Sequence, residues 1–352
     1  MIREGIQKII EGNNLTYEES AQIMNEIMTG KATNAQTAAF LTALRMKGET
    51  PEELIAFASV MRKNCQQIQP HVQGRLVDTC GTGGDKLKTF NVSTAAAFVI
   101  AGAGISVAKH GNRAVTSKSG SADVLEKLGL NLNLEPKAVE RIIERVGVGF
   151  MFAPAFHPAM KYVAEARREI GIRTVFNMLG PLTNPACANT QLLGVYDPKM
   201  AVSMACALAK LGCEEAMIVH GFDGLDEIST VGKTLIVHVK DGNIIKKETH
   251  PRDFGIRKAT ATDLQLSASD ESAETLFRIL CGNITNEAKA EIVLVNSAAG
   301  IIIGGKAHNY LEAMECAKES IESGLALAKL KALVKASDGN LQKLEELEAK
   351  YE

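Results

Sequence analysis

The sequence predicts an α/β protein in two parts, a small N-terminal helical domain over residues 1–72 and a large α/β domain over 73–352 with a mixed, mostly parallel central sheet. Three observations carry this. The first seventy residues hold helix-start signals and helical apolar spacing throughout. Past Gln69-Pro70, short apolar runs alternate with helical stretches, the pattern of parallel strands joined by crossover helices. Later, Asp241-Gly242 separates the runs 235–240 and 243–248, a hairpin signal that interrupts the parallel order.

Taken in order, Thr16 and Glu19 form a capping-box pair ahead of Ala21, Met24, Ile27 and Met28, one apolar stripe on a helix that ends near Gly30. Asn34 is the expected cap of a second helix that stops at Gly48. Thr50-Pro51-Glu52-Glu53 starts a third, with Pro at N1 and Glu at N3. Nothing in this region carries evident chemistry, and it reads as a bundle packed on the rest of the chain or on a second subunit. The expected strands are 76–77, 105–107, 148–151, 192–195, 217–219 and 235–239. Helices are expected at 122–128, 137–146 and 200–211, the last with Asp197 as cap and Pro198 at N1. The closing helices 311–322 and 325–335 are amphipathic, and the highly charged 343–350 reads as a solvated helix.

With 46% hydrophobic and 23% charged residues the composition is that of an ordinary globular chain. No run approaches the ~20 apolar residues of a membrane span, and Met1-Ile2-Arg3-Glu4 opens neither a signal nor a transit peptide, so a cytoplasmic location with no membrane partner is expected. The 7 cysteines are odd in number, scattered and without a Cys-x-x-Cys pair, which suits free thiols better than disulfides or a zinc site.

The organising stretch runs from Val77-Asp78-Thr79-Cys80 through Gly81-Thr82-Gly83-Gly84-Asp85 to Lys118. It reads as strand, glycine loop and helix, with Ser93-Thr94 as the expected cap of an apolar helix from 95. A backbone that turns tightly and aims several N–H groups at one ligand needs residues without a Cβ, as phosphate cradles do. The spacing is neither the P-loop nor the dinucleotide fingerprint. Lys86, Lys88, Lys109, Arg113 and Lys118 fall in a segment without a single Asp or Glu, in a chain of net charge −2. A local cationic patch suits a polyphosphate, whereas a nucleic-acid binder is usually basic over a whole face. The plainer reading, a structural turn and a solvated loop, does not account for this asymmetry.

Two further stretches hold polar side chains that folding alone does not require. Lys109-His110-Gly111-Asn112-Arg113 follows a strand, where α/β sheets place ligand groups, and Ser117-Lys118-Ser119-Gly120-Ser121 then opens a helix at its positive end. A lone histidine is more often a structural hydrogen-bonder, but His110 stands between a lysine and Gly-Asn-Arg. In 221–227, Asp226 and Glu227 are hard oxygen donors suited to Mg²⁺, which binds few protein groups and completes its shell with phosphate and water. Alone, that segment is a solvated acidic turn; beside a basic glycine loop it completes a pyrophosphate site.

Eight motifs in order, Gly81–Asp85, Asn91–Thr94, Lys109–Arg113, Ser119–Asp123, Phe152–Pro154, His157–Lys161, Arg167–Gly171 and Phe176–Pro185, together with Asp226-Glu227, resemble the anthranilate phosphoribosyltransferase family nearly end to end. The resemblance implies a nucleoside phosphorylase/phosphoribosyltransferase type of fold. Residues near 165–185 would join the helical domain, and a homodimer would form through that domain. It implies transfer of the phosphoribosyl group of phosphoribosyl pyrophosphate (PRPP) to the amine of anthranilate in tryptophan biosynthesis. Carried over residue by residue, Gly81, Gly84, Asp85, Thr89, Asn91, Ser93, Thr94, Lys109 and Ser119 would hold PRPP. Gly81, Asn112, Arg167, His110, His157 and Pro181 would line the anthranilate site. Ser93 and Glu227 would reach one Mg²⁺, and Asp226 with Glu227 a second, giving two per subunit. An aromatic amine is largely neutral at pH 7, so no nucleophile or general base is expected.

Two departures stand out. Lys86 replaces the family's usual glycine after Gly-Gly-Asp, which bears on loop geometry, and Glu165-Ala166 replaces Pro-Val before Arg167. Three rival readings are weaker. Pyrimidine nucleoside phosphorylases share the architecture but place Lys-His-Ser where this chain has Asp78-Thr79-Cys80. A non-catalytic nucleic-acid-binding paralogue would lose the Lys109–Arg113 motif and gain a basic groove with stacking aromatics, whereas this chain is 5% aromatic and has no Trp. A purely structural protein has no use for a glycine loop, a cation cluster and an acid pair together.

Overall fold

The computed structural model describes residues 1–85, 87, 89–114, 119–266 and 270–351. Lys86, Lys88, Ser117 and Lys118 of the expected anion-binding surface lie outside them. Four helices come first: α1 (Ile2–Ile10), α2 (Tyr17–Met28), α3 (Asn34–Lys47) and α4 (Pro51–Lys63). Reciprocal capping boxes start α2 at Thr16/Glu19 and α4 at Thr50/Glu53, as their sequences require. Asn34 is not a cap. Thr33 fills that role, its hydroxyl accepting the Gln36 N–H at 3.2 Å, because Gln36 completes a box that Asn34 has no Glu or Gln partner to form. Fully buried Glu53 ties the bundle together: it accepts the Leu15 N–H at 2.9 Å and pairs with Lys47 at 3.0 Å.

The second part alternates as expected. In chain order it runs β1 (Leu76–Gly81), α5 (Val92–Gly102), β2 (Ser106–Gly111), α6 (Ser121–Lys127), α7 (Pro136–Val146) and β3 (Val148–Phe152). Then come α8 (Ala153–Phe156), α9 (Lys161–Ile170), α10 (Phe176–Leu182), β4 (Thr190–Gly194), α11 (Met200–Lys210) and β5 (Glu215–Gly221). The hairpin β6 (Thr234–Lys240) and β7 (Asn243–Thr249) follows, and α12 (Ala261–Leu264), α13 (Asp270–Leu280), α14 (Glu287–Ile303), α15 (Tyr310–Glu322), α16 (Leu325–Ala336) and α17 (Gln342–Tyr351) end the chain.

The sheet order is β3-β2-β1-β4-β5-β6-β7. The strands β1 to β5 pair in parallel, while β6 and β7 are antiparallel. Period-two alternation splits the core. Val107, Leu192, Met217, Val219 and Ile236 face α5, α14 and α16, whereas Leu193, Ala216, Ile218, Leu235 and Val237 face α11 and the N-terminal bundle. Residues of the bundle, of α9–α10 and of three strands thus share one apolar cluster. Packing of α9 against α3 extends this joint.

Three local expectations change. Helix α5 starts at Val92, so Ser93 and Thr94 lie within its first turn instead of capping it. Helix α11 starts at Met200; Asp197 closes a turn before it, accepting the Lys199 N–H at 3.0 Å, and Pro198 is outside the helix. Helix α17 is not simply solvated, since Leu344 is buried and Glu348 and Lys350 pair with Lys331 and Glu274. All 7 cysteines are free.

Candidate active site

The sheet reverses its order between β1 and β4, the crevice where α/β folds bind ligands. Gly81 and Gly194 are register partners at the carboxyl ends of these strands. A Cβ at Gly81 would stand 2.5 Å from Asp226 Oδ2, and one at Gly194 would overlap the Asp226 carbonyl. The paired glycines therefore let the loop after β5 lie across the strand ends. Asp226 Oδ2 accepts the Gly83 N–H at 2.9 Å, while Glu227 Oε1 accepts the Ser93 N–H at 3.2 Å, at the positive end of α5. Behind them, buried Asn296 of α14 holds Ile228 by both its N–H (2.9 Å) and its carbonyl (3.1 Å). The neighbouring Asp223 is a turn former, accepting the Leu225 N–H at 3.2 Å and bonding the Ser229 hydroxyl.

Strand alternation at the end of β2 sends Lys109 and His110 to opposite faces. Lys109 donates to the Thr79 carbonyl and, at 3.4 Å, to Ser93 Oγ. Burial lowers its pKa, and nearby Asp78 works against that shift. His110 faces His157, with ring centroids 5.0 Å apart. Burial, then His157, holds the His110 imidazole down at about 3, and burial holds His157 at about 4, so both are neutral near pH 7. Both buried Nε2 atoms lack a protein partner among the described residues.

Around this rung opens a cleft of about 290 Å³. Its walls bring together Gly81, Gly84, Asp85, Thr89, Asn91, Ser93, Lys109, His110, Asn112, Ser119, Asp226 and Glu227. Asp85 accepts the Thr89 N–H at 3.2 Å, and the Asn91 amide donates to the Ser119 carbonyl at 3.3 Å. Four expected residues are outside its walls. Thr94 is fully buried in α5, its hydroxyl unpartnered among the described residues. His157 lies against His110, and Pro181 sits inside α10 with its carbonyl accepting the Gln191 amide at 2.8 Å. Arg167 lies on α9, 5.2 Å over the Phe176 ring, and burial lowers its pKa. Arg113 lines the cleft but is not a free cation: it pairs with Asp123 at 3.0 Å and Glu126 at 2.7 Å. Glu165, one of the two departures before Arg167, accepts the Asn34 amide at 2.5 Å, and the other, Ala166, is buried.

Burial, then Asp85, raises the Asp226 carboxyl to about 6, and burial, then Asp226, raises that of Glu227 well above its usual value. Sequence reasoning missed three residues here: Arg173 and Asn177, which line the cleft, and Ser272, whose hydroxyl donates to Asn91 Oδ1 at 2.8 Å. Asn177 lies inside the Phe176–Pro185 motif but was given no role, Arg173 follows the Arg167–Gly171 motif by two residues, and Ser272 had no signal.

Residues 73–327 match the glycosyl transferase family a/b domain, and residues 3–65 match the helical bundle domain of that family. The anthranilate phosphoribosyltransferase of Pelotomaculum thermopropionicum is 50% identical over 97% of this chain and 98% of that protein. The crystal structure of the Thermus thermophilus enzyme of that name superposes with a TM-score of 0.88 at 39% identity, covering 95% of this chain and 99% of that one. A Saccharomyces cerevisiae enzyme of the same name, in complex with PRPP and Mg, also gives 0.88, at 29% identity over 96% of this chain and 98% of that one. With its cleft at the switch point and these relatives matching both parts of the chain, the protein belongs to the anthranilate phosphoribosyltransferase family.

Proposed function

We infer that the chain transfers the 5-phosphoribosyl group of PRPP to the amine of anthranilate, giving N-(5-phosphoribosyl)anthranilate and pyrophosphate in tryptophan biosynthesis. The observation that carries this reading is the meeting of the glycine loop, Lys109 and the Asp226-Glu227 pair in one cleft that also reaches His110 and Asn112. Gly81, Gly84, Asp85, Thr89, Asn91, Ser93, Lys109 and Ser119 hold PRPP, with Thr94 supporting them from the first turn of α5. Asn112, Arg167, His110, His157 and Pro181 shape the anthranilate side with Gly81. Residues 1–72 with about 165–185 form one domain and 73–352 the rest, so the acceptor side chains on α9 and α10 meet the donor cleft between two lobes.

The donor set fits Mg²⁺. Asp226 and Glu227 are half-buried carboxyls that form no Lys or Arg ion pair among the described residues, and hard oxygens with few protein ligands suit this ion. Ser93 and Glu227 would hold one ion, and Asp226 with Glu227 a second. When bound, Mg²⁺ supplies charge neutralisation on the pyrophosphate leaving group. The chain's own residues do the rest. Glycine-loop amides and Lys109 hold the phosphates. Neutral His110 and His157 give the acceptor pocket polar edges without a cation, and Arg167 can hold the anthranilate carboxylate bidentately while Asn112 orients it. Loss of pyrophosphate leaves an oxocarbenium-like ribose that a neutral aromatic amine attacks, so positioning replaces a general base. We place this activity in the cytoplasm, in a homodimer formed through the helical part, where Ile10 and Met46 are exposed. Among the described residues no helix is long and apolar enough to cross a membrane.

The test is loss of anthranilate fluorescence on mixing the protein with anthranilate, PRPP and Mg²⁺, beside an EDTA control and Arg167→Ala. Metal-dependent loss is expected. The variant should raise the anthranilate KM about tenfold or more, the scale of a lost charge-assisted hydrogen-bond pair. No loss from folded protein overturns the transferase reading.

A further inference from the structure

One cation in the cleft has no role in the site as described. Arg173 projects from the link between α9 and α10 onto the glycine loop, where Nη2 donates to the Gly83 carbonyl at 2.8 Å. Its guanidinium stacks 4.1 Å from the centroid of the Tyr196 ring, and the Tyr196 N–H in turn donates to Thr82 Oγ1 at 3.1 Å. A Cβ at Gly84 would overlap this guanidinium, and at φ +91° that position already favours glycine. Gly83 is therefore held at both ends by opposite charges, its N–H by Asp226 at 2.9 Å and its carbonyl by Arg173. The 83–84 peptide is trans, so with its carbonyl turned to Arg173 its N–H faces the opposite way. Arg173 thus decides which way an amide of the phosphate cradle points.

We propose that Arg173 is a positioning residue for PRPP, clamping the 83–84 peptide in its phosphate-accepting orientation and tying the donor loop to the α9–α10 segment that carries the acceptor residue Arg167. This rests on the phosphoribosyl-transfer reading given above. The charge of Arg173 acts through the loop it orients, and its planar fork and stacking face are features that lysine does not share. Because α9 packs on α3, Arg173 gives the helical lobe a direct side-chain link to the donor loop.

The experiment uses the full chain with Arg173→Gln, Arg173→Lys, Tyr196→Phe and Tyr196→Leu. It measures both KM values, kcat, Tm, and the affinity for PRPP with Mg²⁺ by calorimetry. Arg173→Gln should weaken PRPP about tenfold or more in both KM and Kd, the scale of a lost charge-assisted hydrogen bond, while the anthranilate KM stays within about twofold. Added guanidinium should restore part of the loss in Arg173→Gln, and Arg173→Lys should recover little of it. Tyr196→Phe should behave as wild type, and Tyr196→Leu should weaken PRPP about threefold through loss of the stacking face. An unchanged PRPP Kd in Arg173→Gln overturns the proposal, as does an equal rise in both KM values with a fall in Tm. If the wild type itself fails to bind PRPP, the phosphoribosyl reading falls; if it binds and Arg173→Gln binds equally, only the role of Arg173 does.

Discussion

A single methyl group is the smallest test of the cleft. At Gly81 it would land 2.5 Å from Asp226 Oδ2, so Gly81→Ala must displace the carboxylate or the strand end. We expect kcat/KM to fall at least about tenfold and half-saturation to need more Mg²⁺, read from initial rates across a Mg²⁺ titration. The histidine pair gives a second test. The pKa of His157 is lowered from 6.5 to about 4 in the fold, so between these values the unfolded chain binds a proton that the native state refuses. Its contribution to stability is whole above pH 6.5 and is lost as pH falls toward 4, with His110 extending the loss toward 3. His157→Asn should flatten the decline of Tm between pH 6.5 and 4 relative to the parent protein. Much of this site was legible because its chemistry is local in the chain: glycines for close approach, two adjacent acids, and Lys109, which was expected just past a strand and lies within β2 itself. Arg173 was not, since one arginine after a helix stop has no pattern until the fold brings it onto Gly83.

At the scale of elements, Asn296 shows how a buried helix governs a loop it does not belong to. Its amide satisfies both backbone groups of Ile228, next to Glu227. Asn296→Leu would leave two buried polar groups unpaired at about 1–3 kcal/mol each, and the freed loop should weaken Mg²⁺ binding. Denaturant melts with and without Mg²⁺ check both effects. Caps and period-two strands were readable because they write themselves in single residues and short spacings. The stretch that became α14 showed no stripe, for it is buried on nearly every side from Ala290 to Ile303 and so lacks the polar face that marks an amphipathic helix. The Leu344 contact of α17 was hidden in the opposite way, one apolar residue among many charges.

At the scale of the whole molecule, the bundle and the α/β part are separate in sequence but not in their core. Ile23, Leu41 and Phe57 share a cluster with Leu193, Ile218 and Val237 of the sheet. We expect one calorimetric unfolding transition, with equal calorimetric and van't Hoff enthalpies, and an isolated 1–72 fragment that shows no cooperative melt. Two resolved transitions would contradict this. The sequence displayed a change of pattern near residue 70, but nothing in it displayed that one sheet face is finished by the bundle, because such contacts join residues far apart in the chain.

The divergence of Lys109 and His110 at the end of β2 also matters for redesign. The two side chains part to opposite faces, Lys109 toward Ser93 and His110 toward His157. On the acceptor assignment proposed above, a mutagenic library confined to His110, His157 and Arg167 would sample new aromatic amines while leaving the sugar-phosphate grip as inherited, so acceptor preference can drift without renegotiating the donor.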